Sequence, residues 1–143
     1  YAEVVLGLGE TLVGNHPGRA LSFTADKKSG RLQLKSIPSK STGLYGGGLI
    51  FRSDSNGEDL AGYAGAGLYD SVTLPAPRRV LLDYSGEALL WDEAFLGRLL
   101  GSIARLGAEV EAALGEPQDI EGAVSKDELY LVQARPQVGI EGE

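Results

Sequence analysis

A chain of 143 residues with 43% hydrophobic content is long enough for one domain with a real core and too apolar to be disordered. Its apolar runs fall far short of the ~18 residues of a membrane span, and no basic-then-apolar leader opens it. A net charge of -7 argues against a nucleic-acid surface, and the absence of cysteine excludes disulfides, thiolate metal sites and a cysteine nucleophile. Glycine, at 21 residues, is about twice its usual ~7% share. No methionine occurs even at position 1, and Tyr1 stands directly inside an apolar run, so the chain reads as a fragment of a longer polypeptide.

Residues 1–6 are short and rich in β-formers, which predicts a strand. Gly7 and Gly9 break it, and residues 10–13 suit a single helical turn ended by Gly14. Glu10 sits where a strand delivers its end to a loop, a position for a metal- or ribose-binding carboxylate or for a solvated turn glutamate. Asn15-His16-Pro17-Gly18 is turn chemistry, and His16, the only histidine, reads as a surface turn residue. Residues 19–25 and 31–36 alternate as two strands around a polar turn at 26–30, predicting a hairpin. Residues 37–48, with Pro38 and four glycines, predict an exposed connection or flap, from which Lys40 reaches a phosphate or is simply solvated.

The stretch from Phe51 to Val72 cannot build a core. It holds an arginine, Arg52, then three small hydrogen-bonding residues, an acidic pair, and glycines at 62, 65 and 67. Glycines and short polar side chains let backbone N–H groups converge on an anion, and an arginine adds a planar fork suited to phosphate oxygens. The stretch is thus a phosphate cradle or a polar surface loop. Residues 49–51 predict the strand that enters it and residues 68–74 the strand that leaves. Pro75 and Pro77 cannot continue a central ladder, and residues 80–84 make another short strand.

One long helix is predicted from an N-cap at Asp92 to a stop at Gly115, with Pro117 behind it. Phe95, Leu96, Leu99, Leu100, Ile103, Leu106, Val110 and Leu114 recur at three- and four-residue steps and mark a buried stripe. The last hairpin joins Asp119-Ile120-Glu121 to residues 129–135 through a polar turn at 125–128. Asp119 and Glu121 share a face by the two-residue period, and the returning strand ends in Gln133-Ala134-Arg135. Such a group suits Mg²⁺, which takes one or two carboxylates plus substrate phosphates, or else an edge-strand ion pair between Asp119 or Glu121 and Arg135. Placing Glu121 opposite Gln133 requires an odd loop, with Val124 opposite Tyr130 and Ser125 opposite Leu129, or a bulge. The fold class expected is α+β, a mainly antiparallel sheet packed by one long helix.

With both regions in view, the chain resembles the ATP-grasp nucleotide-binding domain of the pyruvate phosphate dikinase and phosphoenolpyruvate synthase superfamily. The residues that carry the likeness are Gly7-Leu8-Gly9-Glu10-Thr11-Leu12-Val13, Arg52-Ser53 through Glu58-Asp59-Leu60, and Asp119-Ile120-Glu121 with Gln133-Ala134-Arg135-Pro136. Within it the chain is most similar to the α-glucan, water dikinase family, through the long segment from Phe51 to Val72 and Pro117-Gln118-Asp119-Ile120-Glu121-Gly122. The likeness covers residues 1–138, the C-terminal portion of such a domain, and leaves 139–143 as a linker or tail.

That resemblance implies ATP and Mg²⁺ as cofactors. It also implies transfer of the β-phosphate of ATP to a histidine on a separate domain and thence to an α-glucan such as starch, with the γ-phosphate passing to water. Carried over by motif, Arg52 binds ATP phosphates, Gly67 and Ser71 line the nucleotide, Glu121 and Gln133 hold Mg²⁺ and phosphate, and Arg135 touches the phosphates. Asp119 and Glu10 support the metal, and Arg52 and Arg135 count as catalytic. The family also implies a plastid location. Two parts of the active site would lie outside this chain: an N-terminal half of the nucleotide domain, and the phosphohistidine domain, whose motif His16 does not match. A phosphoglucan, water dikinase, a phosphoenolpyruvate synthase-like enzyme and a non-catalytic nucleotide-binding fragment are the competing readings.

Overall fold

The computed structural model describes residues 1–47, 49–51 and 72–137. Its longest element follows from the capping chemistry at its ends. The Asp92 side chain accepts from Phe95 N–H at 2.8 Å, satisfying a donor of the first turn. Gly115, at φ +82°, donates to Glu111 O and ends the helix in a left-handed conformation that favours glycine. Between them runs a helix, Glu93–Leu114.

In chain order the elements are β1 (Ala2–Val4), α1 (Glu10–Val13), β2 (Leu21–Ala25), β3 (Leu32–Ser36), β4 (Thr42–Tyr45), β5 (Leu49–Phe51), β6 (Val72–Leu74) and β7 (Arg78–Leu81). There follow α2 (Ala88–Trp91), α3 (Glu93–Leu114), β8 (Gln118–Ser125) and β9 (Glu128–Pro136). The class is α+β as expected. The single sheet is not: the described strands form one three-stranded sheet, β1-β2-β3, and separate pairs β4-β7, β5-β6 and β8-β9. The ladders β2-β3, β4-β7, β5-β6 and β8-β9 are all antiparallel. The proline and glycine punctuation that separates the strands also keeps most pairings short.

The described residues fall into two compact units. One is built from residues 1–3, 21–37 and the chain from Asp83 onward, the other from residues 4–20 and 38–82 as far as they are described. In the first unit α3 lies against α2, β8 and β9. Its buried apolar residues are Leu21, Phe23, Leu89 and Leu100. The helical stripe is therefore deepest at Leu100, 5% exposed, with Leu99 and Ile103 half-buried. Leu114, expected at the end of the stripe, is instead 56% exposed, because the helix terminates there. Glu111 accepts from Lys27 Nζ, in the β2-β3 turn, at 2.6 Å.

In the second unit α1 and the turn that leads into it are fastened to β4. Leu8 N–H donates to Leu44 O at 2.7 Å, and Leu44 N–H donates to the Thr11 hydroxyl at 3.0 Å, which explains why Thr11 is fully buried. The Gly7 backbone, at φ +91°, comes so close to β4 that a Cβ there would meet Leu44 O at 2.3 Å. β7 begins at Arg78, two residues before the strand expected at 80–84, and ends at Leu81. The helical turn at 10–13 is formed as expected.

Candidate functional site

The hairpin β8-β9 carries four of the residues singled out above. Its turn is formed by Lys126 and Asp127, both in the left-handed region at φ +52° and +64°, the backbone signature of a two-residue turn that matches strand twist. Ser125 consequently pairs with Glu128 and Val124 with Leu129. The odd loop, with Ser125 opposite Leu129 and Val124 opposite Tyr130, is thereby corrected.

A two-residue turn alone would set Glu121 opposite Val132 and turn Gln133 to the other face. The register shifts between Glu121 and Gly122, however, and Val132 becomes an extra residue in β9. The bulge expectation is met: Glu121 pairs with Gln133, Ile120 with Ala134 and Asp119 with Arg135. By the two-residue period, Asp119, Glu121, Gln133 and Arg135 then lie on one face of the ladder. Ala123 and its partner Tyr130 extend that face toward the turn. The odd loop would have set Tyr130 opposite Val124 instead, since its partner depends on where the bulge falls. Its hydroxyl donates to Glu128 Oε2 at 2.5 Å, which raises its pKa.

The chemistry of the four side chains differs. Arg135 Nε and Nη2 both donate to Asp119 Oδ2, at 3.0 and 2.9 Å, so the cross-strand ion pair foreseen as the alternative is formed. Asp119 thus fixes the guanidinium plane. Glu121 is exposed and, among the described residues, takes part in no ion pair or side-chain hydrogen bond, while Gln133 opposite is half-buried. One unengaged carboxylate in register with an amide oxygen fits the small protein share of a Mg²⁺ shell, the remainder of which is water and phosphate. No group of three or more His, Asp or Glu side chains is gathered among the described residues. Glu10 stands in the first turn of α1 in the second unit, half-buried, with its carbonyl accepting from Gly14 N–H. Arg52, Gly67 and Ser71, with the rest of the cradle, lie outside the described residues.

In sequence the chain is related to phosphotransferases. A short stretch of 34 residues, 24% of the chain and 4% of the relative, is 50% identical to the rifampicin phosphotransferase of Bacillus subtilis (strain 168). Nearly the whole chain is homologous to a segment of the α-glucan water dikinases. It is 55% identical over 140 residues, 96% of the chain, to the chloroplastic enzyme of Solanum tuberosum, and 54% identical over 140 residues to α-glucan water dikinase 1, chloroplastic, of Arabidopsis thaliana. The chain spans about a tenth of the length of these relatives, 10% in each case. No family model matches it, and no solved structure matches it.

Proposed function

We propose that this chain is the phosphate- and metal-facing part of an ATP-grasp nucleotide site in an α-glucan water dikinase. In this reading Glu121 and Gln133 hold Mg²⁺, and Arg135, oriented by Asp119, meets the ATP phosphates with Arg52. Gly67 and Ser71 line the nucleotide, and Glu10 supports the metal. The ion supplies charge neutralisation at the transferring phosphoryl group. The chain's own residues position that group and set the charge around it, which is most of what phosphoryl transfer asks of a protein. The full reaction consumes ATP, water and glucan and yields AMP, inorganic phosphate and phosphoglucan, with a histidine of another domain carrying the β-phosphate between sites. Three of the relatives are named as chloroplastic, which supports a plastid setting. No helix among the described residues is long and apolar enough to cross a membrane.

The observation that carries the proposal is the bulge at Val132, which brings Glu121 and Gln133 into one pair beside Asp119 and Arg135. It costs the hairpin a regular ladder, and a purely structural hairpin with this turn would not need it. The test is Glu121→Gln in the full-length polypeptide. Mg²⁺-dependent ATP turnover should fall by orders of magnitude while thermal stability stays nearly unchanged, because an exposed carboxylate acts on charge rather than packing. Near-normal turnover at ordinary Mg²⁺ would make the hairpin carboxylates structural and leave a non-catalytic binding role.

A further inference from the structure

Two short segments of the second unit, residues 15–19 and 38–42, are laid against each other by their backbones. Ser39 N–H donates to Arg19 O at 2.9 Å, Ser41 N–H to Pro17 O at 3.3 Å, and Arg19 N–H to the Ser39 hydroxyl at 3.0 Å. Gly18, at φ +93°, lies so near that a Cβ there would meet Ser39 O at 2.0 Å. In a chain of net charge -7, neither segment contains an acidic residue, and together they carry Arg19, Lys40 and the only histidine.

Lys40 lies at the centre of this pairing and is 7% exposed. Its ammonium donates to His16 O at 2.7 Å. Among the described residues neither Lys40 nor Arg19 enters an ion pair. An ammonium has three donors, and one carbonyl satisfies one of them. Burying the charge with no anion beside it is costly, so the arrangement is that of a cation built to meet a second acceptor.

We infer that residues 15–19 and 38–42 form an oxyanion subsite for a phosphoryl group, with Lys40 as its fixed donor and Arg19 as its exposed second charge. A phosphoryl group suits better than a carboxylate because it brings more acceptor oxygens and more than one negative charge to two cations. The subsite stands apart from the reading of the hairpin: loss of ATP turnover in Glu121→Gln leaves it untouched.

In the full-length polypeptide, inorganic phosphate, metal-free ATP and acetate are titrated calorimetrically against wild type, Lys40→Met, Lys40→Arg and Arg19→Gln. Lys40→Met should weaken phosphate binding about tenfold or more, as expected for a lost charge-assisted hydrogen bond, and Lys40→Arg should recover part of it. Arg19→Gln should weaken it several-fold, with a shallower dependence on salt. A loss of ATP affinity that parallels the phosphate loss makes the nucleotide the source of the phosphoryl group; a loss confined to inorganic phosphate makes the source a non-nucleotide phosphate. Wild type that binds no phosphate species, acetate that binds as tightly as phosphate, or variants with wild-type phosphate affinity would each overturn the subsite. Should Lys40→Met fail to fold, Arg19→Gln, whose side chain is exposed, decides alone: an unchanged phosphate affinity overturns it.

Discussion

The Asp26 carboxylate gathers the polar turn between β2 and β3. Its Oδ1 accepts from the Ser29 hydroxyl and Ser29 N–H, both at 2.7 Å, and from Lys28 N–H at 3.2 Å. The Ser29 hydroxyl first, and then the Ser29 and Lys28 N–H groups, hold its pKa below the usual aspartate value. A lowered folded-state pKa means stabilisation that is complete above the unfolded value and disappears as pH falls through the folded one. Acid titration followed by backbone amide signals of residues 26–31 should show this turn loosening only in that acid window. Asp26→Asn should abolish the acid-dependent step, and an unchanged step would assign it elsewhere. At Asp119 the balance is different. An ion pair whose side chains are 37% and 52% exposed is worth only ~0–1 kcal/mol, so its importance is in fixing the Arg135 plane. Sequence reached both outcomes for this pair as alternatives, since the two-residue period names the face but not the rotamers. Lys40 was less legible. Its burial comes from the approach of residues 15–19, a contact across more than twenty positions that no local pattern announces.

Among the elements, α3 was readable almost to the residue, because its cap, stripe and terminal glycine are all local signals. The four residues of α2 were missed. They form a single turn closed by Trp91 N–H and Asp92 N–H back to Glu87 O and Ala88 O, and Asp92, read as the start of one helix, is also the end of another. In the hairpin, the two-residue turn was hidden because Lys126 and Asp127 adopt positive φ without a glycine or asparagine to signal it. Gly122 sits across from the bulge, where a Cβ would come to 3.0 Å from Tyr130 O, a backbone atom with little room to yield. Gly122→Ala should therefore destabilise the protein by ~1–3 kcal/mol in chemical denaturation, the range for overpacking. It should also lower ATP turnover by disturbing the Glu121 and Gln133 pairing. A variant as stable and active as wild type would show that the ladder relaxes there freely.

For the whole molecule, the α+β class and the antiparallel pairing were legible, and the division into separate small ladders was not. Strand alternation tells which residues share a face; which strands meet is decided by long-range packing that a sequence pattern does not carry. The described core is correspondingly narrow, and Leu100 is its helical anchor. Leu100→Ala should cost ~2–5 kcal/mol, and Leu99→Ala or Ile103→Ala distinctly less, because a half-buried side chain leaves a smaller cavity. Equal losses at all three positions would mean that the stripe is covered along its length. The extra residue Val132 has one more consequence, for sequence evolution. Turn length and bulge compensate for each other: a residue gained between Ser125 and Glu128 and a residue lost at Val132 would leave Glu121 facing Gln133 as before. What selection can hold constant is the number of residues between that carboxylate and that amide and its odd parity, so paired gaps are free to migrate along this hairpin while the two side chains stay in register.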